Sequence, residues 1–185
     1  MEVVDLPSRQ NININWENAC STGERSHLCH QHLGFIKGMV IASLNINDLR
    51  SHLDEVQLLT KSLGSHILAL NETKLDSNYS KELTSLPGYQ QERLDRTSSG
   101  GGVSIYIRDS INYKLRSDFP IDDLEVICIE FEPPKSKSFL ILPWYRPSSD
   151  LVASFDELEK VSSYLDKEGK ETILLGDMNC DLTNK

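Results

Sequence analysis

The sequence predicts an α/β fold, and three observations carry that prediction. The apolar runs in "MVIASLN", "HILALNE" and "ETILLGD" are continuous rather than alternating, as expected of strands buried on both faces. Between the first two lies "INDLRSHLDEVQLLTKSLG", where Leu49, Leu53, Val56, Leu59 and Leu63 recur at helical spacing and Gly64 supplies a stop. Strand, helix and strand at this spacing make a βαβ crossover, which requires parallel strands.

Taken in order, residues 1–38 are polar, Asn-rich and aperiodic until "HLGFIKG", and read as a flexible leader before a domain over 39–185. After the βαβ unit, "SLPGYQ" reads as a turn. "SSGGGVSIYIRD" then places Val103, Ile105 and Ile107 on one side and Ser104, Tyr106 and Arg108 on the other, a strand with one wetter face. "LEVICIEFE" and "SFLILPWY" flank a "PPKSK" turn and predict a hairpin. "SFDELEKVSSYLDKEG" predicts a second helix, with Ser154 and Glu157 in capping-box spacing, an apolar stripe of Phe155, Leu158, Val161 and Leu165, and Gly169 as terminator. "ETILLGD" is the last buried strand.

Composition narrows the function. At 185 residues and 38% hydrophobic, the chain can bury one sizeable core. No run approaches the roughly 20 apolar residues that cross a bilayer, and the N-terminus lacks the basic-then-apolar order of a signal peptide. The expectation is an intracellular protein, nuclear or cytoplasmic and not secreted, with no membrane partner and no stable protein partner. Cys20, Cys29, Cys128 and Cys180 are scattered and read as reduced thiols. A net charge of −9 excludes binding of nucleic acid through a broad basic surface, but not an enzyme that meets phosphate through a metal ion. The acidic runs at 122–132 and 156–171 read as solvated faces.

The informative pattern lies at the strand ends. Asn45 ends "IASLN", Glu72 ends "ILALNE", Tyr145 and Arg146 end "LILPWYR", and Asp177 with Asn179 ends "ILLGDMN". Ligand sites gather outside the carboxyl ends of strands fed by crossover helices. Carboxylates and carboxamides without a nearby His or Cys pair form a hard oxygen set, which favours Mg²⁺ or Mn²⁺ over zinc. Such an ion polarises a phosphoryl oxygen while a second carboxylate orients or deprotonates water.

In that order, "SLNINDLRSHLDEV", "LNETKLD", "GGGVSIYIRD", "WYRPSSD" and "LLGDMNCDL" resemble the endonuclease/exonuclease/phosphatase superfamily and, within it, the endonuclease domains of non-LTR retrotransposons. The resemblance spans 39 to the end. It implies a four-layered α/β sandwich, two mixed β-sheets flanked by helices, and metal-dependent hydrolysis of phosphodiesters with DNA as substrate. It further implies that Glu72 is the main metal ligand, that Asn45 helps hold the metal and phosphate, and that Tyr145 contacts the scissile phosphate. Asp177 would activate water, Asn179 would contact phosphate or metal, and Arg146 would meet the DNA backbone.

Two departures qualify the resemblance. Asp48 stands where relatives usually carry Gly or Ser. The family also closes with further strands and an "SDH"-like motif whose His serves catalysis, whereas His27, His30, His32, His52 and His66 all precede residue 67. The expectation is therefore a domain incomplete at its C-terminus and weak or inactive in hydrolysis. The alternatives are a non-catalytic remnant of a mobile element and a small-phosphoester phosphatase of the same superfamily. A last cluster, Cys20, His27, Cys29, His30 and His32, matches no paired zinc spacing and reads as part of the leader. Metal analysis of the purified chain is accordingly expected to find no stoichiometric zinc.

Overall fold

A computed structural model of the chain describes residues 2–6, 11–13, 38–118, 124–133, 136–149 and 153–180. The strands are β1 (Glu2–Leu6), β2 (Asn11–Asn13), β3 (Met39–Asn45), β4 (Ile67–Asn71), β5 (Tyr89–Leu94), β6 (Val103–Arg108), β7 (Tyr113–Arg116), β8 (Glu125–Val126), β9 (Cys128–Phe131), β10 (Phe139–Tyr145) and β11 (Glu171–Asp177). Among the described residues the α-helices are α1 (Leu49–Leu63) and α2 (Ala153–Asp166), with a 3-10 turn at Lys81–Thr84. One sheet runs β2-β1-β3-β4-β6-β5; the other runs β11-β10-β9-β7, with β8 also on β10. Both are mixed: β3–β4 and β10–β11 are parallel, whereas β4–β6 and β9–β10 are antiparallel.

Strand alternation explains the four layers. Ile41, Ile67, Ala69, Ile105 and Ile107 of the first sheet face Ile129, Phe131, Ile141 and Leu175 of the second, forming the central apolar layer. The intervening residues Val40, Ala42, Leu68, Leu70 and Tyr106 point the other way, onto Leu49 and Val56 of α1. On the far side Cys128, Leu140, Leu142 and Trp144 meet Leu158, Val161 and Leu165 of α2. Helix, sheet, sheet and helix thus stack in that order, and both faces of β4 and β10 are buried, hence their continuous apolar runs. The predicted crossover, the β9–β10 hairpin and the stop at Gly64, which takes a left-handed φ of 59°, are all present. No helix among the described residues is long and apolar enough to cross a membrane.

Several expectations are corrected. The face of β6 expected to be wet is buried: Ser104 and Tyr106 have no exposure, and their polar atoms are met from within. Gln91 Nε2 donates to Ser104 Oγ (2.9 Å) and Tyr106 Oη (3.0 Å), and Tyr106 donates to the Thr84 carbonyl (2.6 Å). Helix α2 begins at Ala153, so Ser154 lies inside its first turn rather than ahead of it as a cap. β11 lies at a sheet edge, and only Leu175 on it is fully buried. Strands β5 and β7 were not anticipated. Residues 2–6 and 11–13, within the stretch read as a leader, form β1 and β2, with β1 antiparallel to β3; the rest of that stretch, including its Cys and His cluster, lies outside the described residues. Cys128 and Cys180 are free, and burial pushes the Cys128 thiol up to about 12.

The acidic runs are not simply solvated faces. Buried Arg116 on β7 donates to Asp118 Oδ1 (2.6 Å), Glu130 Oε2 on β9 (2.9 Å) and Glu168 Oε1 beyond α2 (2.6 Å). Lys170 Nζ closes the network on Glu130 Oε1 (2.5 Å) and Glu168 Oε2 (2.8 Å). Arg116, then Lys170, hold the Glu168 carboxyl down at about 2, against an ordinary value of 4.5. A depressed carboxylate contributes stability above its unfolded value and loses it as pH falls toward the folded one. Arg116→Met is expected to destabilise the fold by about 2 kcal/mol in urea unfolding at pH 7, because it removes charge-assisted hydrogen bonds to Glu130 and Glu168 and leaves both to Lys170. Between pH 4.5 and 2 the loss of stability is expected to be shallower in Glu168→Gln than in the unaltered chain.

Candidate active site

Strand register brings the expected residues to one place. In the parallel pair β3–β4, Asn45 lies opposite Asn71, so Glu72 leaves the sheet beside Asn45. In the parallel pair β10–β11, Tyr145 lies opposite Asp177. Packing of the sheets through the central layer sets these ends together. Asn45 Nδ2 donates to Glu72 Oε1 (3.0 Å) and to Asp177 Oδ2 (2.8 Å), and Tyr145 Oη donates to Glu72 Oε1 (2.9 Å). Asp177 Oδ1 accepts from the Asn179 backbone N–H (3.0 Å), and Asn179 Nδ2 donates to the Arg146 carbonyl (2.7 Å). Burial first, and the Glu72 carboxylate second, hold the Tyr145 phenol above its ordinary value, so it stays protonated and available as a donor.

The loops carrying these groups are knitted by backbone bonds. Ile46 N–H donates to the Asn71 carbonyl, Asp48 N–H to Glu72 and Leu49 N–H to Thr73, each at 3.0 Å, which continues the β3–β4 pairing past the strand ends. Five non-glycine residues here have positive φ: Asn47 (51°), Asp48 (127°), Glu72 (54°), Lys74 (52°) and Asn179 (45°). Such conformations cost free energy and cluster where the surroundings fix a functional geometry. Asp48, the residue that departs from the family pattern, caps α1 by accepting from Arg50 N–H (3.1 Å), and hydrogen bonding from the Arg50 side chain lowers its pKa.

Two of the expected residues make contacts that bear on their roles. Asn45 accepts at Oδ1 from the Asn47 N–H (3.1 Å) and donates from Nδ2 to the two acids. Arg146, expected at the DNA backbone, is 7% exposed, and its guanidinium binds the Met178 and Asn179 carbonyls. Among the described histidines, neither reaches the cluster: His52 pairs with Glu55, and His66 Nδ1 accepts from Val40 N–H.

Other residues of the site were missed in the sequence. Fully buried Asn71 donates from Nδ2 to the Trp144 carbonyl (3.1 Å), joining the sheets directly behind Glu72. Its Oδ1 is buried without a hydrogen-bond partner among the described residues. Gly176, at φ 134°, makes this approach feasible: a Cβ there would stand 1.9 Å from the Trp144 carbonyl oxygen and 3.1 Å from Asn71 Oδ1. Glu125, opposite Tyr145 on β8, accepts from Gly102 N–H (2.7 Å) and pairs with Arg96 (2.6 Å), forming one wall. The available signals were a glycine inside a strand run and two polar residues, Asn71 and Glu72, closing an apolar one.

The donor set can be weighed against a metal ion. Among the described residues no three His, Cys, Asp or Glu side chains gather into a cage. Mg²⁺ does not require one, since it retains several waters and is commonly held by one or two carboxylates together with substrate phosphate. Glu72 and Asp177, two carboxylates sharing the amino group of Asn45, fit that pattern and lack the soft ligands zinc prefers.

Comparison with known proteins agrees with this architecture. The sequence profile of the Endonuclease/Exonuclease/phosphatase family matches residues 42–184, and the chain belongs to that family. No curated protein matches it significantly. Among solved structures, an AP endonuclease from Archaeoglobus fulgidus is 23% identical with a TM-score of 0.55, over 75% of this chain and 56% of its own. The endonuclease domain of TRAS1, a telomere-specific non-LTR retrotransposon, is 17% identical with a TM-score of 0.52, over 77% and 60%. The 3′ phosphatase NExo from Neisseria, bound to a product DNA hairpin, is 20% identical with a TM-score of 0.52, over 77% and 58%. These likenesses concern the fold, and the chain spans a little over half the length of each of these proteins.

Gly176→Ala is expected to cost at least about 2 kcal/mol, since its Cβ meets fixed backbone as well as an unfavourable φ. Gly169→Ala, at φ 64° with open space around it, is expected to cost about 1 kcal/mol. Urea unfolding of the two variants measures the difference.

Proposed function

We propose that this chain is a metal-dependent phosphodiester hydrolase acting on DNA, an endonuclease domain of the kind non-LTR retrotransposons carry. The observation that carries the reading is the convergence of Glu72, Asp177, Asn45 and Tyr145, from four strand ends and both sheets, into one hydrogen-bonded cluster. The ordered motifs support the retrotransposon class, and the fold is one that the TRAS1 endonuclease domain shares. A DNA substrate is consistent with an intracellular address, nuclear or cytoplasmic.

In this reading Glu72 is the protein ligand that holds Mg²⁺, or Mn²⁺ in its place, with Asn45 beside it. The ion, when bound, supplies Lewis-acid polarisation of the phosphoryl oxygen. The rest falls to the side chains. Asp177 accepts a hydrogen bond from water and aligns it for in-line attack. Asn45 shares its amino protons between the two acids and keeps both pointed into the cleft. Tyr145, held protonated, transfers its hydrogen bond from Glu72 to a phosphate oxygen, and Asn179 braces the same group. With a chain charge of −9, approach to DNA depends on these local contacts and the bound cation rather than on a basic surface.

The test is nicking of supercoiled plasmid compared with hydrolysis of a soluble phosphoester, with Mg²⁺ and Mn²⁺ in turn. The expected result is slow, metal-dependent nicking, reduced at least about a hundredfold in Glu72→Gln, with no turnover of the soluble ester. Preferential turnover of the soluble ester would make the chain a phosphatase, and absence of any metal-dependent hydrolysis would make it a non-catalytic remnant.

A further inference from the structure

We infer that Arg146 is a positioning residue: its guanidinium, clamped from inside the fold, holds the turn that carries Asp177 and Asn179 rather than meeting substrate. Arg146 Nε donates to the Met178 carbonyl (2.7 Å) and Nη2 to the Asn179 carbonyl (2.6 Å), so the planar fork spans two successive peptide groups. The return contacts run the other way. The Asn179 carboxamide donates to the Arg146 carbonyl (2.7 Å), and Arg146 N–H donates to the Asp177 carbonyl (3.0 Å). Residues 177–179 are thereby bound on both sides to a single residue of the neighbouring strand, and Asn179 is kept at a φ of 45° that it would otherwise visit only in part.

The clamp is itself supported. The guanidinium carbon lies 5.0 Å from the Phe155 ring centroid, and that ring stands edge-on to Trp144 at 5.6 Å and 85°. Trp144 is 1% exposed, and its carbonyl receives the Asn71 bond from the other sheet. Helix α2 therefore reaches the site through Phe155 and Arg146. A residue only 7% exposed with two donors committed to backbone carbonyls is built to fix a loop, whereas a phosphate contact calls for an open fork at the surface.

The inference rests on the hydrolase reading only for its kinetic consequence, and two measurements separate them. Amide exchange in the full chain reads the turn directly. Arg146→Lys, which keeps the charge but loses the fork, is expected to speed exchange of the Asn179 N–H about tenfold or more, as befits loss of a hydrogen bond to a charged group, with β4 and β6 unchanged. Phe155→Leu, which removes the stacking and leaves the hydrogen-bonding groups, is expected to give a smaller rise and covers the case in which Arg146→Lys fails to fold. The second measurement is affinity for duplex DNA as a function of salt in Arg146→Gln, which removes the charge, and the slope of log K against log salt is expected to be the same as in the unaltered chain. In nicking, kcat is expected to fall with little change in KM. Unchanged exchange in both variants, or a salt slope reduced by about one, would overturn the assignment and return Arg146 to the DNA backbone. If the unaltered chain binds no DNA, the hydrolase reading fails while the exchange result still decides the role of Arg146.

Discussion

The sheets meet through an apolar layer, and at one end of that layer a buried hydrogen bond, from Asn71 Nδ2 to the Trp144 carbonyl, ties one to the other behind the cleft. Apolar packing alone is non-directional and would tolerate small slides between the sheets. A buried amide that must find its partner does not, because leaving it unmade costs the desolvation of the group. The constraint explains Gly176, whose missing side chain admits Asn71 and the β10 backbone together. It also sets the distance between Glu72, one residue past Asn71, and Tyr145, one residue past Trp144, so that their hydrogen bond is a consequence of the clasp behind them.

From that point the chain works outward in shells of different chemistry. The cluster in the cleft joins two acids through one carboxamide and one phenol, a compact arrangement with anionic groups facing solvent. Around it lie backbone conformations that L-residues seldom adopt, held by paired loops and by the Arg146 clamp. At the far end of the second sheet, before β11 begins, charges are handled in the opposite manner: Arg116 and Lys170 neutralise Glu130 and Glu168 within the fold. One region spends its carboxylates on stability, while the cleft keeps Glu72 and Asp177 without a cationic partner at ion-pair distance among the described residues. That contrast supports the proposal that the cleft receives a cation.

Much of this was legible in the order of residues alone. Periodicity located β3, α1, β4, β6, the β9–β10 hairpin, α2 and β11, because each has a face or two that must be apolar. The residues of the cluster were legible for a different reason: oxygen and amide groups recur together at four strand ends, more than turn chemistry alone requires. What escaped were features defined by a distant partner. The strand pattern of β6 is the same whether Ser104 faces water or Gln91; β5 and β7 carry too few apolar residues to announce themselves. The acids of 122–132 look solvated until Arg116 is folded back onto Glu130.

Arg146 and Asn45 draw the line most clearly. The sequence by itself determined that a donor-rich pair closes β10 and that an amide ends β3, since strand ends are fixed by local pattern. Only the tertiary structure decided which way those groups face. Arg146 turns inward, its guanidinium over the Phe155 ring of α2 and bonded to the Met178 and Asn179 carbonyls. Asn45 presents its amino group to Glu72 and Asp177 because two carboxylates, 27 and 132 residues away along the chain, arrive on the same side of it. Identity and spacing are local properties, but the direction of a polar group is set by whichever partners the packing of the sheets delivers to it.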